Sequence, residues 1–244
     1  MDALNKLSEV LAENRTLRLI EDAIYSVLPD DSLTHHYDKR AVVYDLVVST
    51  RLYNFVMWGT SPSDYIAFAR QALTSSSDGI LLDAGCGSLL FTATDYLKSR
   101  RLIIAVDESL AMLRRARQRL IKLCGHVPEH VRLLQTDLND LPFRPNRFSS
   151  VLCLNVLHQF SDAAALLSNV KQLLTNDGDL YLTSLVLNKC FVGDRYLNAL
   201  YAAGEFVRPR SKHELKEILD TTLSLEVSFR VKGNMAFVTT AVAH

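Results

Sequence analysis

The run Leu81-Leu82-Asp83-Ala84-Gly85-Cys86-Gly87-Ser88 places an acid at the end of an apolar stretch and two glycines just beyond it. A turn of that composition keeps the backbone bare, so a ligand can approach free N–H groups where the following helix begins. The Asp83 carboxylate could accept hydrogen bonds from an ammonium group. Leu102-Ile103-Ile104-Ala105-Val106-Asp107 repeats the pattern, an apolar run closed by an acid, twenty residues after Gly87. At the carboxyl end of a parallel strand, that carboxylate can take both hydroxyls of a ribose. Two plainer readings stand beside these: a strand–helix turn that binds nothing, and an acid that offsets a helix dipole. A dinucleotide fingerprint would need glycine at position 90, which is Leu90, so pyrophosphate binding is disfavoured.

Such groups must be held at strand ends, and from Gly79 onward the chain supplies the strands. Apolar runs at Ile80–Asp83, Leu102–Val106, Val131–Gln135, Ser150–Asn155 and Gly178–Leu185 alternate with helical patterns at Phe91–Ser99, Leu110–Leu123, Ala163–Leu174 and Lys212–Asp220. This rhythm predicts an α/β domain, a mostly parallel sheet with helices on both faces. Leu223–Val231 and Met235–Ala243, joined through Lys232-Gly233-Asn234, predict a C-terminal antiparallel hairpin. Upstream, Leu4 to Leu28 follow helical spacing, a second aromatic-rich helix is expected from Tyr37 to Phe55, and a Gly59–Pro62 turn leads into a helix over Ser63–Leu73. Residues 1–60 are therefore read as a helical N-terminal segment, a lid or brace, and 61–244 as the α/β domain.

Bulk properties narrow the partners. Across 244 residues, 27 basic side chains balance 27 acidic ones, which argues against a phosphate backbone as partner and makes nucleic acid unexpected. Cys86, Cys124, Cys153 and Cys190 lack the close spacing of a metal site or a disulfide framework. His35–His36 without further ligands is not read as a metal site. The amino-terminal residues do not read as a signal peptide, and no apolar run is long enough to span a bilayer, so a cytoplasmic location is expected.

The chain resembles the class I S-adenosylmethionine-dependent methyltransferases over about residues 37–243, in particular the small-molecule branch that includes the ubiquinone and menaquinone C-methyltransferases. Asp83-Ala84-Gly85-Cys86-Gly87 is similar to the D-x-G-x-G signature, Asp107 to the ribose-binding acid, and Gln135-Thr136-Asp137-Leu138 to the motif whose acid and neighbour contact adenine. Phe148 to His158, with Asn155 at the strand end, resembles the F-D-x-V segment, and Leu173 to Leu182 resembles L-x-P-G-G-x-L. The resemblance implies a Rossmann-like methyltransferase fold with a seven-stranded sheet, and S-adenosyl-L-methionine as co-substrate. It implies cofactor contacts from Asp83, Gly85, Gly87, Asp107, Asp137, Leu138 and Asn155. Tyr44 joins them because His35 to Asp45 is similar to a Y-D…Y-D segment of the quinone-type enzymes. Four positions depart from the pattern: Leu89 stands where a third glycine is usual, Ser149 replaces an aspartate, and Asn176–Asp177 replace proline–glycine.

Methyl transfer to a hydroxyl needs a base. His158, in Asn155-Val156-Leu157-His158-Gln159-Phe160-Ser161-Asp162, resembles the general-base histidine of plant-type O-methyltransferases, with a packing or hydrogen-bonding role equally open. Tyr53, Phe55 and Trp58, with the 187–210 insertion and its Arg195, Tyr196, Arg208 and Arg210, are candidate acceptor-site walls. Together these features predict methyl transfer to a small, aromatic or lipid-like acceptor, with oxygen slightly ahead of carbon and a homodimer left open. The alternatives carried are a non-catalytic relative and an enzyme acting on protein or RNA.

Overall fold

The computed structural model describes residues 3–29, 50–75, 79–204 and 206–240. Helix α1 (Ala3–Val10) leads to strands β1 (Arg18–Glu21) and β2 (Ile24–Ser26). A short helix α2 (Arg51–Tyr53) runs straight into a π-helical turn (Asn54–Trp58), followed by α3 (Pro62–Thr74), β3 (Ile80–Ala84), α4 (Ala93–Tyr96), β4 (Leu102–Asp107) and α5 (Leu110–Cys124). Then come β5 (Val131–Gln135), β6 (Phe148–Leu154), a 3₁₀ turn (Leu157–Gln159), α6 (Ala163–Leu173) and β7 (Leu174–Leu185). Helices α7 (Phe191–Ala202) and α8 (Lys212–Leu223) and strands β8 (Ser228–Lys232) and β9 (Met235–Thr239) complete the chain.

The strands form one sheet in the order β1-β2-β5-β4-β3-β6-β7-β9-β8. From β2 to β7 every neighbouring pair is parallel, while β1 and the β8–β9 hairpin run antiparallel at the two edges. The near-continuous apolar runs of β3 and β4 suit this, because helices cover both faces of a parallel sheet. Leu82, Ile104 and Val106 join a core beneath α1, α6 and α8, whereas Leu81, Ile103 and Ala105 join one beneath α3, α4, α5 and α7. Each fully buried leucine or isoleucine contributes about 1.5–3 kcal/mol to folding. The chain leaves β3 toward β4 on one side and reaches β6 on the other, so a crevice opens at the carboxyl ends of these strands.

The N-terminal helix expected across residues 3–28 is corrected. It stops at Val10, and Arg18–Ser26 form a hairpin turning through Ala23 in the left-handed region (φ 58°). Leu17, Ile20, Ile24 and Val27 fit helical spacing, but Ile20, Ile24 and Val27 are also β-branched, and the open edge of β5 supplies backbone partners. Pairing Ile24 with Leu133 buries Ile24 completely. The sheet therefore has nine strands where seven were expected, and residues 18–26 are part of the α/β layer rather than a helical brace. The helix expected over Phe91–Ser99 shrinks to Ala93–Tyr96. The helix expected from Tyr37 lies largely outside the described residues, and its described end finishes at Gly59, whose φ of 69° closes the π-turn. Ser61 and Asp64 then cap α3 reciprocally, with Pro62 in its first turn.

Candidate active site

Four loops meet at the crevice. After β3, the Gly85 and Cys86 N–H groups both donate to the Val106 carbonyl, each at 2.9 Å, tying the glycine turn to the end of β4. Gly85 (φ 75°) and Gly87 (φ 53°) are both left-handed, yet they differ in surroundings. A Cβ on Gly85 would lie 2.3 Å from Val156 Cγ2 and 3.3 Å from Leu138 Cδ1, so this glycine exists for close packing. A Cβ on Gly87 would meet nothing within 4 Å, so the backbone there faces free space. Leu89 is also left-handed (φ 55°), and its side chain is fully buried in the core.

Three carboxylates stand around the turn. Asp83 is buried and accepts a 2.8 Å hydrogen bond from the Tyr96 hydroxyl. Loss of water pushes its pKa up to about 7; the Tyr96 bond opposes this and the negative charge of Asp107 adds to it. Asp107 accepts the Gly87 N–H at 2.8 Å and the Ser109 N–H at 2.9 Å. Burial still lifts it to about 6. Asp137 accepts both the backbone N–H and the side-chain amide of Asn139, at 2.7 and 3.0 Å. Burial and the nearby Asp137 also raise Glu108. The buried Asp83 and the partly buried Asp107, offset by a hydroxyl and two N–H groups rather than by a cation, form a site suited to a positively charged ligand.

The remaining residues anticipated from sequence fall as follows. Leu138 is buried beside Gly85. Asn155 ends β6 in a left-handed conformation (φ 58°), with its N–H on the Thr183 carbonyl and hydroxyl and its Oδ1 accepting the Thr183 hydroxyl at 3.0 Å. Tyr44 and the His35–His36 pair lie outside the described residues. His158 is buried and its Nδ1 accepts the Leu185 N–H at 3.3 Å, which puts the proton of the neutral ring on Nε2. Burial, reinforced by Arg210, lowers its pKa to about 3. A ring with its acceptor nitrogen engaged in this way fits the packing or hydrogen-bonding role that the sequence left equally open with catalysis.

Sequence reasoning missed the groups that hold these loops. Tyr96 had no signal beyond its apolar phase in a short helix. Arg119 donates to the Ser88 carbonyl and hydroxyl behind the glycine turn. Arg210, a candidate acceptor-site wall from sequence, is buried and donates to the Phe160 and Ser161 carbonyls, holding the end of the 3₁₀ turn. Arg208 pairs with Glu214, and Arg195 lies over the Phe191 ring. Tyr53, Trp58 and Tyr196 pack together, ring centres 5.4–6.3 Å apart.

Residues 82–180, which contain every described loop of this site, match a family model described as a methyltransferase domain. A protein of Methanocaldococcus jannaschii described as uncharacterized is 31% identical over 124 residues, covering 51% of this chain and 48% of that protein. The chain thus spans about half the length of the curated relative it matches. Among solved structures, phosphoethanolamine N-methyltransferase 2 of Haemonchus contortus in complex with S-adenosyl-L-methionine aligns with a TM-score of 0.63 at 17% identity, over 82% of this chain and 45% of that one. Magnesium protoporphyrin IX methyltransferase from Synechocystis PCC 6803, with bound SAH, aligns at a TM-score of 0.57 and 17% identity, over 73% and 81% of the two chains. The [4+2]-cyclase SpnF aligns at a TM-score of 0.57 and 19% identity, over 79% and 74%. The class these likenesses define is the Rossmann-like methyltransferase fold.

Proposed function

We propose that this chain is an S-adenosylmethionine-dependent methyltransferase for a small, aromatic or lipid-like acceptor. One observation carries the reading: the backbone at Gly87 faces free space, its N–H is held by the partly buried Asp107, and the buried Asp83 adds a second acid whose charge a cationic ligand would relieve. In this reading Asp83 faces the amino-acid end of the donor, Asp107 its ribose, and Asp137 and Leu138 its adenine. Gly87 supplies backbone room, while Gly85 and Asn155 shape the turns around it. Tyr44, outside the described residues, is assigned to the same site by its motif alone.

The donor supplies a methyl group already activated on a sulfonium, so transfer is a direct displacement by the acceptor atom. The protein's part is to align that atom and keep water out. A preference for oxygen rests on His158 alone, whose Nδ1 already accepts the Leu185 N–H, so size and polarity describe the acceptor better than the atom methylated. Likeness to the ubiquinone and menaquinone branch supports an apolar acceptor, as does the aromatic cluster of Tyr53, Trp58 and Tyr196. Balanced charge supports a small molecule over nucleic acid. Among the described residues no helix is long and apolar enough to cross a membrane, and a cytoplasmic location is part of the proposal.

Calorimetric titration with S-adenosylhomocysteine tests the donor half, with micromolar binding expected. An absence of heat at high micromolar ligand overturns it. A screen for metabolites that gain one methyl mass with the protein and S-adenosylmethionine tests the transfer itself.

A further inference from the structure

Single exposed apolar side chains are ordinary on protein surfaces, so their clustering is the informative feature. Leu52, Phe55 and Val56, on α2 and the π-turn, are all exposed, as are Phe191, Val192 and Tyr201 on α7. Phe191, Leu52 and Phe55 leave 74, 73 and 69% of their surface in solvent, more than any other large apolar side chain among the described residues. The two elements are held as one face. Tyr196 on α7 packs against Tyr53 and Trp58, and a Cβ on Gly193 would lie 2.7 Å from the Met57 carbonyl.

Among the described residues, the exposed charges of Arg51–Trp58 and of Lys189–Ala202 are cations, while the nearby Lys232 is paired with Asp64 at 2.8 Å. Arg51, Lys189 and Arg195 are exposed, and the Arg195 guanidinium sits 5.2 Å over the Phe191 ring. The acid of α7, Asp194, is turned inward, accepting from the Asn188 N–H and the Asn234 amide. A cleft of about 520 Å³, lined in part by Arg51, Leu52, Phe55 and Lys232, opens on the same face. A second copy of the chain, docked by two-fold symmetry, would cover the apolar groups but set like cations against one another. A lipid surface with anionic headgroups satisfies both features at once.

We propose that the face formed by Arg51–Trp58 and α7 docks on an anionic lipid bilayer. Leu52, Phe55 and Phe191 enter the headgroup region, and Arg51, Lys189 and Arg195 lie against phosphate and carboxylate groups. The contact is peripheral. It stands independently of the methyl-transfer reading, because the experiment below reads binding and not turnover.

The full chain is sedimented with vesicles of phosphatidylcholine alone and with phosphatidylserine-rich vesicles. The expected result is preference for the latter by roughly tenfold or more, weakening as salt is raised. The double variant F55S/F191S should lose about tenfold in vesicle affinity, whereas L19S, equally apolar but far away on β1, should change nothing. Circular dichroism and an unchanged thermal unfolding midpoint establish that the variants are folded. Equal binding to both vesicle types, no binding to either, or equal loss in L19S overturns the proposal. So does concentration-dependent dimerisation abolished by F55S/F191S, which would make this face an interface between copies.

Discussion

The two sides of the crevice are built by different means. On the side proposed for the donor, Asp83, Gly85, Gly87 and Asp107 sit within or one turn beyond two adjacent parallel strands, and main-chain bonds to Val106 fix their loop. On the side proposed for the acceptor, the 3₁₀ turn, α7 and the β8–β9 turn come from distant parts of the chain. Side chains hold them together: Arg210 on the turn's carbonyls, and Asn234 on the Val186 carbonyl and Asp194. The lesson is that the donor side is set by strand geometry and glycine conformation, whereas the acceptor side is set by a few buried polar residues and can be altered without disturbing its neighbour.

The hardest way to break this contrast is at the glycines. Gly85→Ala adds overpacking against Val156 to left-handed strain and should cost about 3 kcal/mol in urea unfolding, while Gly87→Ala should cost about 1 kcal/mol. Gly87→Ala should nevertheless weaken S-adenosylhomocysteine binding by about tenfold or more, because its methyl enters the ligand's space. Unchanged affinity in Gly87→Ala would show that the free space has another purpose. Asp107→Ala removes the acceptor for two N–H groups and the proposed ribose contact, and should weaken the same ligand about 100-fold by calorimetry.

Asp83 gives a pH test. Its folded pKa of about 7 lies above the ordinary carboxylate value, so its contribution is most favourable in acid and is lost as pH rises through 7. Asp83→Asn should therefore stabilise the protein by about 2–3 kcal/mol more at pH 8 than at pH 5, and a pH-independent difference would contradict the assignment. On the acceptor side, Gly193→Ala would force a Cβ to 1.9 Å from Asn234 Oδ1. It should cost about 1–3 kcal/mol in thermal unfolding while leaving S-adenosylhomocysteine affinity intact. A parallel loss of affinity would mean that the two sides are coupled. The smallest effect concerns His158, whose folded pKa of about 3 lies below its unfolded value. Its contribution is full above pH 6.5 and falls as the pH drops toward 3. His158→Asn should flatten that loss by about 1–2 kcal/mol between pH 7 and 5 in pH-dependent unfolding.

Most of the parallel sheet was legible because a strand buried on both faces must be apolar along its length, as Leu102 to Val106 are. The glycine turn was legible for a related reason: acid and glycines lie within five residues, so no distant contact is needed to bring them together. The β1–β2 hairpin was not. Its apolar spacing serves a helix or a half-buried strand equally, and only the unpaired edge of β5 chooses between them. The place of His158 past the end of β6 was readable, but its role was not.

From its sequence alone, this protein has an alternating α/β order, a bare turn after the first central strand, and acids at successive strand ends. These follow from local conformational preference and the burial of short apolar runs. Tertiary structure decided which nitrogen of His158 is engaged, where the Arg210 charge is spent, and that Leu89 turns into the core. Each of those depends on groups 25 or more residues apart in the chain, or on packing that no single segment encodes.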